Sequence, residues 1–195
     1  MKNSVFVNKD VFSRLFVLCK NQMFHLKSFT YLLAEHDEIT LTEGYDNVPS
    51  IVELFNEITG LYVKDDTTFG IYNDAYWCGT VYFYLFFATK KPLSYILYKF
   101  PLDELIDCYN PYHEMDYSAI KELFEEKEKD NTILKLLCKQ YGAKLTKLAR
   151  ETGISVNTLK RYYRSDDMLY TASFQNIYKI SKYFDVGLSL FVKNT

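Results

Sequence analysis

The segment Leu145–Arg164, LTKLARETGISVNTLKRYYR, constrains the fold of this chain more than any other. It reads as two short helices joined by a tight turn, a helix-turn-helix unit whose geometry dictates residue types at fixed offsets. Ala149 falls where the first helix comes closest to the second, so a small side chain is required there. Gly153 falls in the turn, where positive φ is needed and only glycine adopts it without steric cost. Leu148, Ile154, Leu159 and Tyr162 recur as the buried face. Ser155 precedes the second helix as an N-cap, its hydroxyl accepting from a free backbone N–H. Asn157, Thr158, Lys160, Arg161 and Arg164 are left pointing outward.

The residues that follow extend the pattern. Ser173 can cap a further helix in which Phe174, Ile177, Tyr178, Ser181 and Phe184 recur at three- and four-residue spacing. Val186, Leu188 and Phe191 read as a short last apolar element. A helix before the unit, the unit itself, a connection over 165–172, an apolar helix and the ending FDVGLSLF together resemble the Cro/C1-type (XRE-like) helix-turn-helix domain over about residues 131–191. The resemblance implies a five-helix domain whose second and third helices are the motif pair. It departs from the family in three places. Lys144 stands where the first motif helix would take a Ser or Thr cap, and the connection 165–172 is longer than usual. Asp166 and Asp167 bring two negative charges just past the second motif helix, where they would pair with Arg161 and Arg164 if they faced the same side.

Charge divides the chain at the same place. Residues 1–130 hold 12 Lys/Arg against 21 Asp/Glu, net −9, and residues 131–195 hold 11 against 4, net +7. A basic third beside an acidic body is the electrostatic footprint of a nucleic-acid-binding module joined to a part that avoids nucleic acid. The expected organisation is therefore an acidic, aromatic-rich body over 1–130, serving interaction or dimerisation, and a basic helix-turn-helix domain over 131–195. The fold class expected is mainly α, with a few short strands admitted in the body. Only 7 Gly and 4 Pro in 195 residues leave few helix breakers.

In the body, Asp10 reads as the cap of a helix through Val11, Leu15, Leu18 and Cys19. Ser50 with Glu53 forms a capping-box pattern for a helix that stops at Gly60. Residues 64–73 read as a polar loop. Residues 75–88 are dense in aromatics, among them Tyr76, Trp77, Tyr82, Phe83 and Tyr84, and Pro92 and Pro101 then read as first-turn residues. Asp116 opens a charged helix with Lys121–Glu125 and Glu125–Lys129 pairs, which runs on or bends near Asp130. Segments 24–31 and 38–41 stay open between helix and strand. The aromatic run reads as core or oligomer packing rather than a base-stacking surface or ligand cage, with a protein–protein face as the main exception.

No catalytic or cofactor motif is present: GxGxxG, the P-loop and GxSxG are all missing. His25, His36 and His113 lack evident catalytic partners, and His113-Glu114 lacks the second histidine of a zinc motif. Asp65, Asp66 and Asp74 sit in a loop whose composition carries acidic residues routinely, so no metal is expected. Cys19, Cys78, Cys108 and Cys138 are widely spaced and read as buried free thiols in a reducing cytosol. The apolar stretch 81–88 is too short to span a bilayer and the first residues lack a secretory core, so a cytoplasmic protein is expected.

Two functions fit. The first is a sequence-specific DNA-binding transcriptional regulator, a repressor or autoregulator, likened to the family. It would contact duplex DNA through Lys147, Ser155, Asn157, Thr158, Lys160, Arg161 and Arg164, as a homodimer held by the body. Asn157 and Thr158 are the better base readers. The second is a protein-binding inhibitor or antitoxin of a phage or mobile element, for example an anti-CRISPR-type protein. It would keep the helix-turn-helix for autoregulation or as scaffold and engage a protein partner through its acidic body. No enzyme activity and no cofactor are expected.

Overall fold

The computed structural model describes residues 5–36, 38–44, 49–64 and 73–191, without the side chains of residues 73, 129 and 130. The body opens with strand β1 (Val5–Val7) and helix α1 (Lys9–Asn21), followed by α2 (Leu26–Glu35) and β2 (Ile39–Leu41). Segments 24–31 and 38–41 thus resolve into helix and strand respectively. The two strands pair in parallel, Val5 with Ile39 and Val7 with Leu41. Helix α1 is capped by Asn8, whose Oδ1 accepts from Val11 N–H at 3.0 Å; Asp10, expected as the cap, lies in the first turn. Asn8 has the extended backbone that a cap requires, and its amide oxygen reaches the third helical N–H.

Helix α3 (Ile51–Thr59) ends at Gly60 with φ +68°, as the glycine implied, while Ser50 occupies the cap position without a side-chain hydrogen bond, so the expected capping box is not formed. The residues read as a metal-free acidic loop, Asp65 and Asp66, lie outside the described residues. The aromatic run is one helix, α4 (Asn73–Thr89), apolar on most sides and therefore largely enclosed. Trp77, Tyr82 and Phe83 are buried within it, while Tyr76, Tyr84, Phe86 and Phe87 stay partly exposed. The fully buried Tyr82 donates its hydroxyl to Phe100 O at 2.6 Å, which satisfies the polar end of a core residue.

Helices α5 (Leu93–Lys99), α6 (Leu102–Asp107), α7 (Tyr109–Tyr112) and α8 (Tyr117–Asp130) complete the body, with Pro92 and Pro101 at the cap positions of α5 and α6. Asp116 caps α8 by accepting from Ser118 N–H at 2.8 Å, and Lys121 pairs with Glu125 at 3.4 Å. The chain breaks its helix at Asn131, in extended conformation, and Thr132 caps the next helix while its hydroxyl donates to Tyr163 O at 2.9 Å. Every residue of α5 is buried, and this helix packs on α2 and α4 on one side and on α9 (Ile133–Gln140) and the last 3-10 turn (Leu188–Phe191) on the other. One hydrophobic cluster accordingly runs from Val7 to Phe191.

From residue 133 onward five α-helices follow: α9, α10 (Leu145–Thr152), α11 (Val156–Arg164), α12 (Asp166–Tyr170) and α13 (Phe174–Phe184). The connection 165–172, expected to be longer than usual, contains α12, which buries Leu169; the last apolar element is a 3-10 turn. The buried face of α13 is Ile177, Ile180, Ser181 and Phe184, whereas Phe174 and Tyr178 face outward with stacked rings 6.2 Å apart. The four cysteines are free thiols, Cys108 only partly buried. Among the described residues no helix is long and apolar enough to cross a membrane.

Candidate nucleic-acid interface

Helices α10 and α11 meet around Gly153, whose φ of +68° turns the chain and whose N–H donates to Ala149 O at 2.9 Å. Leu148, Ile154, Leu159 and Tyr162 are buried as their spacing implied, and Ala149 packs partly buried against them. Lys144 makes no capping hydrogen bond for α10. Ser155 caps α11, its Oγ accepting from Thr158 N–H at 3.1 Å, and the two hydroxyls lie 2.8 Å apart. Both residues are therefore part of the helix start as well as its surface.

The buried Leu159 and Tyr162 define one side of α11, and the 3.6-residue period then places Asn157, Lys160, Arg161 and Arg164 together on the opposite stripe. All four are exposed, and Thr158 is half-buried beside them. Arg161 reaches Met168 Sδ at 3.5 Å; neither Arg161 nor Arg164 makes an ion pair among the described residues. Lys147 stands apart on α10, exposed, with Glu151 at 4.0 Å.

Asp166, feared as a partner of the arginines, is turned inward. Its Oδ2 lies 2.7 Å from Lys99 Nζ and its Oδ1 accepts from Ile133 N–H at 2.8 Å. Lys99 also donates to Asn131 O. The Lys99 side chain is fully buried, and desolvation lowers its pKa even with a carboxylate alongside. Beside this pair, Glu128 accepts from Lys91 at 2.6 Å and from the Tyr95 hydroxyl at 2.5 Å, and burial pushes the Tyr95 phenol upward. Lys91, Tyr95, Glu128 and Asp166 line a cleft of about 590 Å³ between the body and the end of α11, with Lys99 buried behind them. The sequence reading missed Lys99, although one charge in the apolar run LSYILYKF signals a buried, paired cation. It also missed Asn176, whose Nδ2 donates to Tyr162 Oη at 3.1 Å and pins α13 to α11.

No curated protein and no solved structure matches the chain. Residues 134–189 match the family model of the Cro/C1-type HTH DNA-binding domain. That span covers the helices from α9 through α13 and the start of the 3-10 turn, with the buried face, left-handed turn and capped second helix just described. The C-terminal part of this protein is thus a Cro/C1-type helix-turn-helix DNA-binding domain.

Proposed function

We propose that the protein is a cytoplasmic, non-enzymatic transcriptional regulator, a repressor or autoregulator, that sets α11 in the major groove of duplex DNA. The observation that carries this reading is the stripe Asn157–Lys160–Arg161–Arg164, exposed, basic and free of carboxylate partners among the described residues. Asn157 and Thr158, at the start of the helix, read base edges, while Lys147, Ser155, Lys160, Arg161 and Arg164 hold phosphates. Residues 1–130 and 131–195 serve as two functional parts, the first holding a homodimer whose half-sites lie about 34 Å apart, one turn of duplex.

The test is binding of the full chain to DNA from its own promoter over a salt series. Affinity is expected to fall steeply with salt, because each phosphate contact releases counterions. Lys160→Glu with Arg161→Glu is expected to abolish binding while circular dichroism stays unchanged. Asn157→Ala is expected to relax base preference, since one such contact is worth about 1–3 kcal/mol of discrimination. Salt-independent binding, or a double variant that binds normally, would refute the regulator reading.

The net charge of −9 on residues 1–130 favours a second reading, a protein-binding inhibitor or antitoxin in which the acidic body imitates nucleic acid and the helix-turn-helix serves as scaffold. That reading expects a basic protein partner to be bound through the body, unaffected by the Lys160/Arg161 reversal.

A further inference from the structure

Helix α4 ends on a residue that is costly where it stands. Lys90 takes φ +57°, in the left-handed region, and its N–H donates to Phe86 O at 3.1 Å to close the last turn of α4. Glycine is the usual occupant of such a position, because a side chain is strained there. A lysine held in that conformation points to a use for its side chain. The side chain is exposed, its ammonium lies 6.0 Å from the centre of the Phe87 ring, and among the described residues it makes no ion pair.

Lys90 and Lys91 are the only adjacent cations in the sequence of residues 1–130, a part with net charge −9. Both line the cleft at the end of α11 together with Arg164, the last residue of the basic stripe. The carboxylates of that cleft are committed elsewhere. Asp166 is held by Lys99 and Ile133 N–H, Glu128 by Lys91 and the Tyr95 hydroxyl, and Glu125 by Lys121 at 3.4 Å; Asp167 is not free either. Lys90 and Arg164 are therefore the two cations of the cleft that no described carboxylate neutralises, one from each part of the chain. The Lys99–Asp166 pair ties α5 to α12 and so holds the body in place beside the end of α11.

We propose that Lys90 is a phosphate-binding residue of the DNA interface, set by the body beside Arg164 so that both parts of the chain hold the duplex backbone flanking α11. The proposal rests on the regulator reading above and extends it from the helix-turn-helix to the acidic body. A helix that reads base edges through its first turn carries its last turn toward the rim of the groove, where the phosphates run. The remaining charge of the body repels the duplex, so a single cationic edge fixes where body and backbone meet.

Lys90→Gly separates this role from a structural one. Glycine relieves the left-handed backbone, so the variant is expected to melt no lower than the native chain. It also removes one cation. In binding of the full chain to promoter DNA and to an unrelated duplex of the same length, the slope of log affinity against log salt is expected to shrink by about 1 for both. The affinity deficit of the variant then narrows about threefold between about 50 and 200 mM salt. Lys90→Arg keeps the charge and is expected to keep the native slope. A native slope in Lys90→Gly, with the effect of the Lys160/Arg161 reversal intact, overturns this proposal alone and leaves the regulator reading standing. A lower melt with a native slope also overturns it, because Lys90 would then serve only the negative end of the α4 dipole. A native chain without salt-dependent DNA binding overturns both readings.

Discussion

A methyl group added at Gly79 would stand 2.4 Å from Ser13 Cα and 2.9 Å from Phe16 Cδ2. Helices α1 and α4 therefore cross at a separation that only hydrogen permits, and the Ser13 and Thr80 hydroxyls, 3.1 Å apart, fasten the same crossing. Gly79→Ala is expected to cost about 1–3 kcal/mol by overpacking, read as a lower urea midpoint in the full chain. An unchanged midpoint would show that the helices can separate freely. Gly79 was not legible in the sequence, where it is one small residue inside an aromatic helix. Gly153 was legible, because its offset from Ala149 and Ser155 belongs to a turn that needs its φ of +68°.

Helices this short are stable only through what they pack on. In α10 and α11 the caps, the turn and the buried stripe all agree, so local sequence and tertiary packing specify the same pair of helices. Ala149 lies within that pair, its carbonyl accepting from Gly153 and its methyl against the cluster. Ala149→Leu is expected to push α10 from α11 at a cost of roughly 1–3 kcal/mol, and a thermal melt at the native temperature would contradict that packing. Helix α13 shows where periodicity misleads. Phe174 and Tyr178 share the three- and four-residue spacing of the core positions but lie outside the buried arc of Ile177, Ile180, Ser181 and Phe184, and the Asn176–Tyr162 bond adds a polar tie to α11.

The body and the DNA-binding part are joined through the buried Lys99–Asp166 pair, with α5 at the centre of the contact. Removing one partner leaves the other charge without compensation. Lys99→Met is expected to cost about 3–5 kcal/mol, measured by denaturant unfolding, and a neutral result would mean that Asp166 swings out to solvent. Ionisable groups kept neutral by burial also make the fold sensitive to alkali. Burial raises Cys19 from 9.0 to about 12 and Tyr31 from 10.0 to about 12, and Cys138 to about 11. Their folded pKa values lie above the unfolded ones, so this contribution is intact below about pH 9 and is lost as pH rises toward about 12. Lys99, whose pKa is lowered, acts in the opposite sense, but it is one group against several. The urea midpoint is expected to fall across that window; a level midpoint would contradict the burial of these groups.

The helix-turn-helix, its buried stripe, the Ser155 and Ser173 caps and the outward basic face all follow from residues within a few positions of one another, because local helix geometry alone brings those residues together. The polar groups that join distant segments do not follow in that way. Asp166 meets Lys99 across 67 residues and Tyr76 meets Asp10 across 66, and one cleft brings Lys90 to Arg164. Whether Asp166 faces the arginines of α11 or turns inward to Lys99 depends on how α5 docks between the two parts. That docking is decided by packing and desolvation over the folded core, which no local pattern encodes.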